Sequence, residues 1–238
     1  MTKPLANQVA LVTGASAGIG AATAQALAAA GAHVILTARS DRKLEDIEQA
    51  IHQAGGTATI APLDLAESDG ISRLATAIAH RWDRLDIMVI CGAILPELTP
   101  VAQIDQRAFS KALTVNLLAT QALIGAFDPL MKRSPDARIV GVTSSVGGKP
   151  RAYWGAYGAT KAAFEVLLDC HAQEVEKISN VRVAIVDPGA TRTAMRARAY
   201  PGEDPLTVKT PETVAERIAA LVQEPFPTGH RERVPDPR

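Results

Sequence analysis

Two periodicities alternate along the chain. Short apolar runs rich in β-branched residues, Val9–Thr13 and His33–Thr37 and then 57–62, 87–91, 138–143 and 181–186, have no regular polar face. That pattern suits strands buried on both sides. Between them lie longer stretches of good helix formers, 21–30, 41–54, 71–82, 109–132, 157–177 and 211–223. Gly31 stands where a helix C′ residue belongs, and Gly55-Gly56 stops the second helix. Pro129 predicts a break in the fourth, and Pro211 opens the last. Strands alternating with helices predict an α/β chain: one domain over 1–238, a doubly wound parallel sheet with helices on both faces. The stretch 224–238, with four prolines and several charges, is expected to be an irregular tail.

Composition narrows the class. Alanine accounts for 43 of 238 residues, which favours closely packed helices over an all-β sandwich. Lysine plus arginine (25) balances aspartate plus glutamate (25), so no net field gathers nucleic acid or anionic lipid. No segment approaches the roughly 18 uninterrupted apolar residues of a membrane span. Met1-Thr2-Lys3-Pro4 runs straight into the first strand without a signal peptide's apolar block. A soluble cytoplasmic protein that binds neither nucleic acid nor membrane is the expectation. Cys91 and Cys170 lie in apolar stretches without metal-type neighbours, as free thiols of a reducing compartment do. The five histidines have no metal-ligand spacing, so no metal site is predicted.

Candidate chemistry begins directly after the first strand. Thr13-Gly14-Ala15-Ser16-Ala17-Gly18-Ile19-Gly20 joins that strand to the first helix. Glycines there allow a tight turn and bring backbone N–H groups close to a pyrophosphate, over the positive end of a helix dipole. A strand before and a helix after are the setting that dinucleotide binding demands. Farther on, Tyr157 and Lys161 are four apart and share one helix face. A free tyrosine has a pKa near 10, and an ammonium beside it favours the phenolate. Tyr157 is therefore expected with a lowered pKa that suits general acid/base work, or, on the spacing alone, as a structural residue of its helix.

Five stations now stand in order: the Thr-Gly-x-x-x-Gly-x-Gly loop, Asn116 in a helix, Ser144 after the fifth strand, Tyr157-x-x-x-Lys161, and Pro188-Gly189 after the sixth. With them the chain resembles the short-chain dehydrogenase/reductase family from about residue 9 to 193. The stretches 147–161 and 188–210 look most like a bacterial oxidoreductase subgroup without an assigned substrate. The resemblance implies a Rossmann-type fold and an oxidoreductase that moves a hydride between a nicotinamide and a carbonyl or secondary alcohol carbon. It implies Tyr157 as acid/base and Lys161 as the holder of the nicotinamide ribose. Ser144 would hydrogen-bond the substrate oxygen, with Ser145 as the alternative. Asn116 would kink its helix and hold a water linking Lys161 to solvent. Pro188, Gly189, Thr191 and Thr193 would pass over the nicotinamide, and 194–210 would form a substrate lid. In that lid Arg196 and Arg198 either receive an anionic substrate or face solvent. Relatives of this kind pair through long helices, here about 109–130 and 157–177, so a homodimer or homotetramer is expected.

The choice of cofactor falls at the end of the second strand. An acid there would bind the adenosine ribose diol and select NAD(H), but the position is Ala38, followed by Arg39. A guanidinium pairs with a 2′-phosphate, and Ser16 is placed to add a hydrogen bond, so NADP(H) is expected. Lys43 is read as part of a solvated helix start, and Asp41, moved inward, would serve a diol instead. Asp64-Leu65 resembles the family's adenine-contacting pair, while Asp64 equally fits the N-cap of the next helix. One departure stands out. The family's Asn-Ala-Gly after the fourth strand is Cys91-Gly92-Ala93 here. A thiol is a poor hydrogen-bonding group, so a loss of stability or cofactor affinity is expected, with Gly92 and Ala93 still lining the ribose. That departure also keeps open a second class, a dinucleotide-sensing binding protein that retains the fold without turnover.

Overall fold

The computed structural model describes residues 3–67 and 69–236. In chain order its elements are β1 (Val9–Thr13), α1 (Gly18–Ala29), β2 (His33–Thr37), α2 (Asp41–Gln53), β3 (Thr57–Ile60), α3 (Gly70–Arg81), β4 (Ile87–Ile90), α4 (Gln106–Leu113), α5 (Ala119–Met131), β5 (Ala137–Val142), α6 (Ser145–Gly148), α7 (Gly155–Val175), β6 (Val181–Asp187), α8 (Ala194–Ala199), α9 (Pro211–Leu221) and β7 (His230–Arg233). The strands form one parallel sheet in the order β3-β2-β1-β4-β5-β6-β7. This is the doubly wound Rossmann-type arrangement.

Strand alternation explains the two layers of helices. Ala10 and Val12 of β1, Val34 and Leu36 of β2 and Val140 and Val142 of β5 point to one side, into a cluster with Leu27 of α1 and Val214 and Ile218 of α9. Their neighbours Leu11, Ile35 and Ile139 point to the other, against Ile78 of α3, Phe127 of α5 and Phe164 and Leu168 of α7. Each inner strand is apolar on both faces because both faces are covered.

Two expectations change. Helix α5 runs through Pro129. Proline lacks the N–H that would bond residue 125, and so near the helix end one bond is lost without a break. The irregularity lies earlier, in a π-helical turn at Thr114–Leu118 that contains Asn116. The tail is not wholly irregular either: β7 adds to the sheet edge beside β6, with Ala184 opposite His230 and Asp187 opposite Arg233. The run Gln106–Met131 has the length and mean hydropathy of a membrane span, and its Leu123, Phe127 and Leu130 pack in the core.

Candidate active site

The chain turns back on itself between β1 and β4. Connections from β1 wind outward one way, through β2 to β3, and those from β4 the other, so a crevice opens beyond the carboxyl ends of β1 and β4. Residues just past the ends of β1 to β6 converge there: Gly14, Ala38, Leu63, Cys91, Thr143 and Pro188 all line one cleft of about 460 Å³.

The glycine loop forms its floor. Gly14 has φ of +68°, and a Cβ on it would come within 2.9 Å of the Cα of Gly92. A Cβ on Gly20 would meet the Gly14 carbonyl oxygen at 2.3 Å. Only glycine allows β1, α1 and the loop after β4 to approach this closely. Ser16, Ala17, Gly18, Ile19 and Gly20 also line the cleft. Ala17 is the N-cap of α1, and no side chain caps that turn, which suits an anion at the helix N-terminus.

Past β2 the cleft is lined by Thr37, Ala38, Arg39, Ser40 and Lys43. Lys43, read from the sequence as a solvated helix residue, is thus a lining residue, because α2 begins at the cleft edge. Asp41 does not line it. Among the described residues, Arg39 and Lys43 make no hydrogen bond or ion pair and the buried Thr37 hydroxyl has no hydrogen-bond partner. Asp64 and Leu65 line the cleft as well. Asp64 Oδ1 accepts from the Ala66 N–H at 3.0 Å, whereas Asp69 is the N-cap of α3. The carboxylate closes a turn after β3 rather than capping the helix.

Cys91, Gly92 and Ala93 line the cleft too. The amides of Cys91 and Gly92 both donate to Thr13 Oγ1, at 3.1 and 3.0 Å. A threonine at the end of β1 thus anchors the loop after β4, whatever side chain stands at position 91. Burial pushes the Cys91 thiol up to about 12, with the Lys161 charge opposing.

Ser144, Tyr157 and Lys161 line the cleft, and Ser145 does not. Ser144 is the extended residue before α6, and Ser145 is already in that helix. Lys161 is buried and donates to the Val142 carbonyl at 2.8 Å. Burial lowers it to about 8, opposed by the charges of Cys91 and Glu165. Its Nζ lies 6.0 Å from the Tyr157 ring centroid. Tyr157 corrects the sequence expectation: its phenol is held well above the usual tyrosine value, by burial first and by the Asp187 charge second. Desolvation of the phenolate outweighs an ammonium whose hydrogen bond goes elsewhere.

Asn116 stands back from the cleft. Its Oδ1 accepts from Ile94 N–H at 2.8 Å, and its Nδ2 donates to Ile94 O at 2.9 Å and Thr160 Oγ1 at 3.0 Å. It ties the loop after β4 to α7, one residue before Lys161. Thr143 Oγ1 donates to Glu165 at 2.6 Å, holding the end of β5 to α7. Pro188, Gly189, Thr191 and Thr193 line the far wall, and Thr193 Oγ1 caps α8 by accepting from Arg196 N–H at 3.1 Å. Sequence reasoning missed Trp154 and Leu95, and named Thr13 only as the first residue of the glycine loop. Trp154 sits three residues before Tyr157 at the mouth of the same helix, a spacing that was available as a signal.

The family model for short chain dehydrogenases matches residues 8–204. The chain belongs to the short chain dehydrogenase family. Across 213 residues it is 37% identical to the oxidoreductase YciK of Escherichia coli K12, a match covering 88% of this chain and 84% of that relative. A short chain dehydrogenase from Shigella flexneri 2a complexed with NADP superposes with a TM-score of 0.94 at 34% identity, over 98% of this chain and 99% of that one. One from Escherichia coli CFT073 complexed with NADPH does so at 0.93 and 35%, again over 98% and 99%. This short chain dehydrogenase is an oxidoreductase of a subgroup to which no substrate is assigned.

Proposed function

We propose that this chain is an NADP(H)-dependent carbonyl reductase, reversible as an alcohol dehydrogenase, with Tyr157 as its acid/base. The observation that carries the reading is that Ser144, Tyr157 and Lys161 open onto the same cleft as the glycine loop and Arg39. The cofactor fits the residues present. Gly14, Gly18 and Gly20 leave room for a pyrophosphate at the uncapped start of α1. Arg39 and Lys43, without partners among the described residues, and Ser16 suit a 2′-phosphate. Asp64 and Leu65 would hold the adenine, Gly92 and Ala93 its ribose, Tyr157 and Lys161 the nicotinamide ribose, and Pro188 to Thr193 the carboxamide. Two similar structures are complexed with NADP and NADPH.

The bound cofactor supplies the hydride. Ser144 donates a hydrogen bond to the substrate oxygen and stabilises the charge that develops on it. Tyr157, kept protonated by its burial, donates its phenolic proton to that oxygen as the carbonyl is reduced. Lys161, lowered to about 8, releases a proton more readily than a surface lysine and so helps restore the phenol. Asn116 positions Lys161 through Thr160. Two or four copies would associate along α5 and α7, where Leu118 at the start of the former run and Val166 on the latter are exposed.

Tyr157→Phe removes only the phenolic oxygen. NADPH consumption against a panel of ketones and aldehydes is expected to fall by about 10²–10⁴-fold, with NADPH still raising the melting temperature. Unchanged turnover in this variant would overturn the mechanism.

A further inference from the structure

The cleft changes character beyond the catalytic side chains. Leu95 and Tyr157 are buried in an apolar cluster that Trp154, Met195 and Ala199 join, and all five line the cleft. Trp154 meets Tyr157 edge-on, with ring centroids 6.0 Å apart, and its other neighbour is Tyr200 at 5.8 Å. The wall facing the reacting end of the cleft is thus carbon and aromatic ring.

Two arginines of α8 stand beside this wall, and both are occupied. Arg196 lines the cleft, yet it forks onto Glu203, Nε to Oε2 at 2.7 Å and Nη2 to Oε1 at 2.5 Å. Its guanidinium also lies 3.7 Å from the centroid of the Tyr200 ring. Arg198 Nη2 donates to the Leu95 carbonyl at 2.5 Å, drawing α8 against the loop after β4. A ligand carboxylate arriving at Arg196 would have to displace Glu203 and would meet its negative charge. The opposite end of the same cleft is the contrast: there Arg39 and Lys43 stand without partners among the described residues. The sequence left Arg196 and Arg198 as anion receivers or solvent-facing charges. Arg196 is paired with Glu203, and Arg198 is exposed while donating to the Leu95 carbonyl.

We propose that the site takes an uncharged carbonyl compound carrying an aromatic or bulky apolar group next to the reacting carbon, and that Trp154 is its specificity-determining residue. The proposal rests on the oxidoreductase reading of the same cleft. An apolar group packed on Trp154 gains its full desolvation, whereas a carboxylate there loses hydration beside an arginine, Arg196, that is already paired with Glu203.

The test compares benzylacetone with the keto acid in which a carboxylate replaces its methyl group. Affinities are measured by calorimetry on protein loaded with NADP⁺, where neither compound can be reduced; if NADP⁺ does not load, the same comparison is made on the protein alone. Benzylacetone is expected to bind at least about tenfold more tightly than the keto acid. Trp154→Ala is expected to weaken benzylacetone by about 10–100-fold, with Trp154→Phe recovering most of the loss. Glu203→Gln, which releases Arg196, is expected to strengthen the keto acid about tenfold and leave benzylacetone unchanged. A wild-type protein that binds the keto acid equally or better overturns the proposal, as does a Trp154→Ala variant that binds benzylacetone as tightly as the wild type does. Turnover with NADPH is read separately. Its failure with the binding order intact overturns the oxidoreductase reading and leaves the pocket assignment standing.

Discussion

Arg39 and Arg196 line one cleft with opposite consequences. Arg196 is neutralised by a bidentate carboxylate, while Arg39 is exposed, has no described partner, and follows Ala38 where an acid would hold a ribose diol. Charge-assisted hydrogen bonds contribute about 1.5–3 kcal/mol, so Arg39→Ala is expected to weaken NADPH by about 10–100-fold and leave NADH nearly unchanged. Thermal shift titrations with both cofactors check it, and an equal loss for NADH would make Arg39 a structural residue. The register of Arg39 was legible because strand and turn place it locally. Lys43 was not, because whether a helix's first turn faces solvent or a cleft depends on how α2 is docked. Tyr157 was legible as a reactive residue and misread in its pKa, since the sequence shows the neighbouring lysine and not the depth of burial.

At the scale of elements, the join between β1 and β4 decides whether the cleft keeps its shape. The buried Thr13 hydroxyl accepts from two amides, those of Cys91 and Gly92. Thr13→Val keeps the volume and leaves both N–H groups without that acceptor. Such a loss costs about 1–3 kcal/mol, to be read from the midpoint of urea unfolding, whereas Thr13→Ser is expected to retain most of the stability. An unchanged midpoint for Thr13→Val would show that the loop is anchored elsewhere. The departure at Cys91 looks damaging in sequence because an asparagine is missing. In this fold the contact with β1 runs from the main-chain amides of Cys91 and Gly92 to the Thr13 hydroxyl.

The C-terminal segment holds the molecule's far wall together. Asp236 accepts from Lys209 Nζ at 2.6 Å, from Ala190 N–H at 3.0 Å and from Arg233 at 2.6 Å. It thereby links Lys209 in the stretch before α9, the loop after β6, and β7. These donors, Lys209 first, hold its carboxyl down to about 2, against about 3.9 in an unfolded chain. The unfolded state therefore takes up this proton first as pH falls. The contribution is present in full above about pH 4 and disappears as pH drops toward 2. Wild-type melting temperature is expected to fall more steeply across that window than that of Asp236→Asn, and parallel curves would remove the latch. Strand β7 escaped sequence reading because His230-Arg231-Glu232-Arg233 has no apolar residue. Charged side chains are what a sheet edge carries, and here Arg231 pairs with Glu165 and Asp169 of α7.

Sequence alone determined the parallel α/β sheet, the glycine loop and the Tyr157–Lys161 pair. Each is written in neighbouring residues, as short continuous apolar runs, as helical spacing and as turn residues at fixed offsets. Tertiary structure decided that Ser144 rather than Ser145 lines the cleft, that burial holds the Tyr157 phenol up, that β7 exists and that Arg196 is paired with Glu203. Those outcomes depend on partners far apart along the chain, 78 residues between Thr13 and Cys91 and 103 between Leu95 and Arg198. Burial and pairing across such separations arise only once the sheet has brought the strand ends together.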